Sequence, residues 1–374
     1  MSRREALLSL LRGETVSPIP FSTYGVDRYS HPWMAEDPSF QRVLKHTDEH
    51  EYILALHCSY YASFGYSDIL ELPDPEMVEL ESWETDDARY FRRTVHTPRG
   101  DLSCLSRLSH GLHTAWQLEY LIKDDEDIDK FLSIPFKPKM PDKSLFLETK
   151  DLLGDKGLME IEIPNPLCIV VENMIYEDFM VRSITMKDKM VQLLDRALEL
   201  ILEWLDLILP EGFGPVFRIF GPEYGAPPYM HPDFFGWAVL GYDKHMVDKM
   251  HQHGCYARMH MHGPVRNIIP HLVDLRVDIF DPCEPPPDGD ITLDELISMV
   301  GTDIVLMGDI ELDDIERNTP AEVDRLVAQA MDTARGRSRF ICTPSAFPIG
   351  SPLPDLTAGN LIQFIDSCRK YGAG

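Results

Sequence analysis

From residue 145 onward the chain alternates between two hydrophobic rhythms. Short apolar runs of strand length are separated by longer stretches with apolar residues three and four apart, the spacing of an amphipathic helix. The runs are LMEIEIP, PVFRIFG, YARMHMHG, VDIFDP, DIVLMGDI and RFICTP. Between them fall helices expected at 174–183, 188–208, 233–253, 266–275, 292–300 and 320–334, with a final one at 355–371. In the long helix the apolar positions are Met190, Leu194, Ala197, Leu198, Ile201, Leu205 and Ile208. Strands alternating with helices build a parallel sheet with helices outside it.

Upstream, residues 2–12 read as an amphipathic helix stopped by Gly13, and PIPFSTYG follows as a strand. Residues 37–56 read as a helix with an aromatic exit. Residues 70–112 alternate with period two around a Pro-Arg-Gly turn, the pattern of an inserted β-hairpin or meander. A helix at 144–153 leads into LMEIEIP, after a Pro- and Lys-rich linker at 136–144. Seven barrel strands can be placed, with an eighth near 53–58 or 68–71. The expected fold is α/β, a single (β/α)8 TIM barrel over 1–374 with an N-terminal helical and β-hairpin elaboration.

Composition narrows the partners. The chain has 374 residues and a formal net charge of −27, so nucleic-acid backbones and anionic membranes are poor partners. The most lipid-like stretch, LELILEWLDLIL, carries Glu199, Glu203 and Asp206, which argues against a membrane span. Seven scattered cysteines without a Cys-x-x-Cys pair, and no signal peptide at the start, point to reduced thiols and a cytoplasmic protein. No strand is followed by Gly-x-Gly-x-x-Gly or by a Walker loop, and the Gly-x-Ser-x-Gly elbow is missing.

In a barrel the loops after the strands build the site. Those loops offer Glu223 and Tyr224, with Arg218 in the strand before them. They also offer His260 and His262, then Cys283, Glu284 and Asp288, then Asp309 and Glu311, then Ser345, Ala346 and Phe347. His260 and His262 share a strand face. With Glu284 they form a zinc-type donor set that leaves room for substrate or water. A His-x-His pair also serves simply as core hydrogen-bonding groups. Glu223 reads equally as a site group or an exposed loop acid. Arg218 could bind a substrate carboxylate or pair with Glu223. Asp309 could be a ligand, a cap or a turn residue. Cys283 could ligate or be a small buried apolar residue.

Several segments taken together resemble the uroporphyrinogen decarboxylase superfamily: GPEYGAPPYMHPDFF, YARMHMHG, DPCEPPPDGDITLDEL, VLMGDIELDDI, NTPAEVDRLV and FICTPSAFPIG. The resemblance covers about 170 residues in order and extends to REALLSLLRGETVSPIPF. It implies a barrel with its cleft at the carboxyl ends of the strands. The decarboxylases' paired-arginine segment reads FSTYGVDRYSHPWM here, with only Arg28 nearby. The cobalamin-dependent methyltransferase branch binds zinc through a His-x-Cys pair and a distant Cys. Those positions read His260-Met261-His262 and Ala346. A donor set of His260, His262 and Glu284, with Glu223 or Asp309 as a fourth, would make a harder Lewis acid.

The expected function is transfer of a methyl group from a small O- or N-methyl compound to a corrinoid on a separate protein. Glu223, Arg218 and Tyr224 are the catalytic candidates, and zinc is the expected cofactor. Decarboxylation of a small carboxylic acid is the alternative, followed by a non-catalytic ligand-binding barrel. Barrels of this kind often pair, so a homodimer is the expected assembly.

Overall fold

The computed structural model describes residues 1–57, 75–135, 140–337 and 339–373. Its strands in chain order are β1 (Ile53–His57), β2 (Val78–Glu84), β3 (Ala88–Thr97), β4 (Gly100–Ser109), β5 (Ala115–Glu119), β6 (Gly157–Pro164), β7 (Val216–Phe220), β8 (Tyr256–His260), β9 (Ile279–Cys283), β10 (Val305–Ile310) and β11 (Arg339–Pro344). β1 and β6 to β11 form one seven-stranded parallel sheet in that order. Each new strand joins the edge left by the one before, the growth pattern of a curled sheet rather than an open doubly wound one.

The strands are buried on both faces, which is why they read as near-continuous apolar runs. All eight residues of β6 and all six of β11 are buried. The helix Lys187–Ile208 buries Met190, Leu194, Ala197, Ile201, Leu205 and Ile208, the stripe its spacing predicts, while Leu198 is only partly buried. Two later helices start at capping boxes. Thr292 and Glu295 bond each other's backbone, as do Thr319 and Glu322, satisfying amide groups that a helix start leaves open. Among the described residues no helix is long and apolar enough to cross a membrane.

Two early expectations change. PIPFSTYG contributes only one bridge, Phe21 to Cys342, rather than a strand. Pro18 and Pro20 have no amide hydrogen to offer a ladder. The segment still joins both sheet edges. Cys342 N donates to Pro20 O at 3.0 Å, Ser22 N to Cys342 O at 3.0 Å, and Tyr52 N to Phe21 O at 3.0 Å. The expected helix over 37–56 is shorter, Gln41–His50, and β1 follows it. Residues 58–74, which include Cys58, the aromatic exit and the 68–71 candidate strand, lie outside the described residues, as do 136–139 of the linker.

The hairpin expected over 70–112 is part of a four-stranded antiparallel sheet, β2-β3-β4-β5. Phe91, Val95, Leu102 and Cys104 are buried on it, whereas Trp83 and Trp116 are exposed. Its far end is tied to the loop after β11, where His113 N donates to Ile349 O at 3.3 Å.

One buried acid sets a pH dependence for the fold. Asp243 is sealed from water, and among the described residues its carboxyl is bonded only by Asn165 Nδ2, at 3.1 Å. Burial pushes its carboxyl up to about 8. A raised folded pKa gives stability that is complete below about pH 4 and is lost as pH rises toward 8, on the order of 4 kcal/mol by pH 7. Asp243→Asn is therefore expected to melt above the wild type at pH 8, with the gap closing at pH 4. A pH-independent difference would show that the carboxyl does not hold its proton.

Candidate active site at the strand tips

The inward face of the parallel sheet carries charge. Side chains two apart on a strand share a face. Glu160 and Glu162 of β6, Arg218 of β7, Arg258 and His260 of β8, and Asp281 of β9 therefore stand close together. Backbone register sets Glu162 beside Arg218, Arg218 beside Arg258, and His260 beside Asp281. Arg258 Nη1 donates to both oxygens of Glu160 at 2.8 and 2.9 Å. Its Nε and Nη2 donate to the two oxygens of Asp281 at 2.6 and 2.7 Å. Arg218 is paired with Glu162. Tyr24 joins the two halves. Its hydroxyl donates to Asp281 Oδ2 at 2.6 Å and accepts from Arg218 Nη2 at 3.1 Å. Tyr24 holds a left-handed backbone, with φ of 59°. A bulky residue pays for that conformation, and such outliers cluster at functional sites.

This network sets the state of His260. Burial works against ionising Asp281, but the Arg258 guanidinium and His260 hold its carboxyl well below the usual range. His260 Nδ1 lies 2.9 Å from Asp281 Oδ2. Burial, and then the Arg218 charge, push the His260 ring well below its ordinary value, so it is neutral. A neutral imidazole facing a carboxylate carries its proton on Nδ1, which leaves Nε2 as a lone pair.

His262 is shifted the other way. It lies just past the end of β8, its ring 4.7 Å from that of His260 and nearly perpendicular to it. His262 Nδ1 is 2.6 Å from Glu284 Oε1, and Gly263 N donates to Glu284 Oε2 at 2.7 Å. Burial opposes the charged ring, but Glu284 and then Glu223 overcome it and raise the pKa above its ordinary value. The side chain is 40% exposed, so a small molecule can reach this ring.

Carboxyls surround the histidine pair. Glu223 is half-buried, and its Oε2 has no hydrogen-bond partner among the described residues. Burial raises its pKa, while His262 and Arg218 pull it back. It is carried on the turn after Gly221, whose φ is 98° and where a Cβ would sit 2.2 Å from the Cβ of Cys168. Burial, and then mutual proximity to other acids, push Asp309 and Glu311 up to about 7. Ser345 Oγ donates to Glu311 Oε2 at 2.9 Å. Gly308 brings β10 against β9, where a Cβ would lie 2.5 Å from Cys283 N.

The structure thus gathers His260, His262, Glu284, Glu223 and Arg218. Arg218 pairs with Glu162 rather than with Glu223. The Tyr224 hydroxyl is drawn to Glu172, and its carbonyl accepts from Tyr176 Oη at 2.7 Å. Cys283 is a buried thiol donating to Phe280 O at 3.8 Å, with burial holding its pKa well up. Arg28 is taken by Asp48 at 2.7 Å. Tyr24, Arg258, Asp281, Glu160 and Glu162 were not singled out from sequence. Their signal was charge inside buried strands, in LMEIEIP and YARMHMHG, since a buried charge must be paired.

The zinc-type set does not close around one point. Glu284 stands at Nδ1 of His262, and an ion on Nε2 would sit at the far side of the ring. Among the described residues no three His, Cys, Asp or Glu side chains are placed to hold a metal ion. Glu284 instead orients and charges the imidazole, the role such carboxylates play toward histidine generally.

No family profile matches the chain, and no curated protein matches it in sequence. Solved structures do match. A methyltransferase from Methanosarcina mazei aligns with 99% of this chain and 99% of its own, at 15% identity and a TM-score of 0.62. The chain shares that protein's fold from end to end. A D-psicose 3-epimerase solved with D-fructose aligns over 62% of this chain and 83% of its own, at 9% identity and a TM-score of 0.37. A second one, with D-tagatose, from Clostridium cellulolyticum H10, aligns over 62% and 94%, at 8% identity and a TM-score of 0.33.

Two outcomes follow from this geometry. Removing one partner of a buried charge pair typically costs about 3–5 kcal/mol. Asp281→Ala, which strips Arg258 and His260 of their acceptor, is expected to lose that much in urea unfolding. A loss below about 1 kcal/mol would mean the pair is not formed. Protein purified without an affinity tag is expected to lack stoichiometric zinc. One zinc per chain, lost in His262→Ala, would show that the side chains regroup around an ion.

Proposed function

We propose that the chain is a methyltransferase of the uroporphyrinogen decarboxylase superfamily. It takes a methyl group from a small O- or N-methylated compound and delivers it to a corrinoid on a separate protein. The full-length likeness in fold to a methyltransferase supports the reading, as does the resemblance of the sequence segments to the superfamily. The observation that carries it is His262, held by Glu284 at 2.6 Å at the strand tips, with its pKa raised by that carboxylate. The same reading takes Pro20–Ser22, bonded to β11 and to Tyr52, as the eighth stave that completes a barrel.

The chemistry asks for an acid. When the methyl carbon leaves for the acceptor, the carbon–oxygen or carbon–nitrogen bond breaks and its electron pair stays on the heteroatom. The corrinoid, when bound, supplies the electron pair that takes the methyl group. His262 Nε2–H gives its proton to the departing oxygen or nitrogen, and Nδ1–H stays on Glu284. The ring ends neutral and regains its proton from water. His260 offers its Nε2 lone pair to orient a donor on the substrate. Glu223 stands beside His262, and its charge supports the proton on that ring.

Decarboxylation stands second for a specific reason. It needs a guanidinium free to clamp a substrate carboxylate, and here Arg218 and Arg258 are already paired with Glu162, Glu160 and Asp281.

The test is methyl transfer to free cob(I)alamin from a panel of methoxyarenes and methylamines. At least one donor is expected to be turned over, with the rate falling as pH rises through a pKa above 6.5. Glu284→Gln is expected to lower that pKa and cut kcat about 100-fold, within the usual range for general acid catalysis. No transfer from any donor, or a Glu284→Gln profile that matches the wild type, would overturn the reading.

A further inference from the structure

The side of the cleft built by β10 and β11 carries carboxyls that no described cation neutralises. Asp309, near the end of β10, has Thr343 of β11 as its register partner. Register partners on neighbouring strands present their side chains on one face. Thr343 is fully buried, and its hydroxyl has no hydrogen-bond partner among the described residues. The Asp309 carboxyl likewise accepts no hydrogen bond from a described residue. Glu311 follows two positions on. Its Oε2 is held by Ser345 Oγ, which itself accepts from Leu312 N at 3.1 Å and so turns its hydrogen toward the acid. Glu311 Oε1 is left without a partner among the described residues. Glu284 and Asp288 add negative charge to the same corner. The buried guanidiniums of Arg218 and Arg258 are already paired, with Glu162 and with Glu160 and Asp281.

Buried polar atoms in folded proteins find partners, and each exception asks for one. The exceptions here are all oxygens that can accept: Thr343 Oγ1, Glu311 Oε1 and the Asp309 carboxyl. What they lack is a set of N–H donors and a positive charge. A primary ammonium supplies both, as three donors on one compact cation. A metal ion would need a tighter grouping, and among the described residues no three His, Cys, Asp or Glu side chains are placed to hold one. We propose that the β10–β11 corner of the cleft, at Asp309, Glu311 and Thr343, binds the ammonium group of a small primary amine. The rest of the ligand rests on the methyl-transfer reading: the amine is the handle of the methyl donor, and its methylated heteroatom is left for His262. Glu284 links the two ends, bonded to His262 at 2.6 Å and adding its charge beside Glu311.

Calorimetric titration of the full chain with ethanolamine O-methyl ether tests it, with ethylene glycol monomethyl ether as the uncharged control. One saturable amine per chain is expected, with the control binding at least about tenfold more weakly. Glu311→Gln keeps the shape of the side chain and is expected to lose about tenfold in amine affinity. Thr343→Val fills the same volume and has no hydroxyl to satisfy. Its melting temperature should hold while amine affinity falls about fivefold, the usual weight of one hydrogen bond. No saturable amine binding, equal affinity for the control, or unchanged amine affinity in either variant would each overturn the proposal. The titration contains no corrinoid, so the two readings fail separately. Saturable amine binding with no methyl transfer to cob(I)alamin from any donor would sink the methyl-transfer reading and leave this corner as an ammonium site. Methyl transfer from a methoxyarene, with no saturable amine binding, would do the reverse.

Discussion

Arg258 cannot be buried in the middle of a parallel sheet unless carboxylates meet it on both sides. Glu160 and Asp281 do so from β6 and β9, and the rest of the strand-tip arrangement follows from that pairing. Asp281 is held ionised, so it takes the Tyr24 hydroxyl and the Nδ1 proton of His260. Tyr24 in turn receives Arg218, whose other side rests on Glu162. Pairing of this kind contributes little net stability, because desolvation cancels most of the attraction. Its effect is to fix geometry: each member is over-determined by its neighbours.

The two histidines show what that geometry achieves. They are two residues apart and their rings nearly touch, yet their pKa values are pushed in opposite directions. His260 sits directly above the arginine layer, buried. His262 sits one step further out, against Glu284 and Glu223. An acceptor and a donor side by side at the strand tips are two halves of acid–base chemistry set by environment alone. The surrounding carboxyls, Asp309 and Glu311 at about 7, keep the mouth sensitive to protons in the physiological range.

Much of the fold was legible because buried parallel strands and amphipathic helices leave different periods in the sequence. The six strands after residue 145 and the helices between them fall close to where those periods put them. PIPFSTYG misled because an apolar run with two prolines looks like a strand but cannot donate like one. The site was legible as far as its strand tips: His260, His262, Glu284 and Glu223 are assembled as loop order implied. What spacing could not show was who pairs with whom. Glu284 reads in sequence as a third ligand, and only the fold reveals that it faces Nδ1 of His262. Arg218 looked like a substrate clamp because its true partner, Glu162, is 56 positions earlier in the chain.

The account stands on the opposite pKa shifts of two adjacent imidazoles, and histidine nitrogen NMR reads them directly. In a ¹⁵N-histidine titration, His262 is expected to titrate with a pKa above 6.5. His260 should titrate well below 6.5, its neutral form protonated on Nδ1 alone. If both rings titrated together near 6.5, or if His260 took up its proton before His262, the strand-tip network would not be arranged as described.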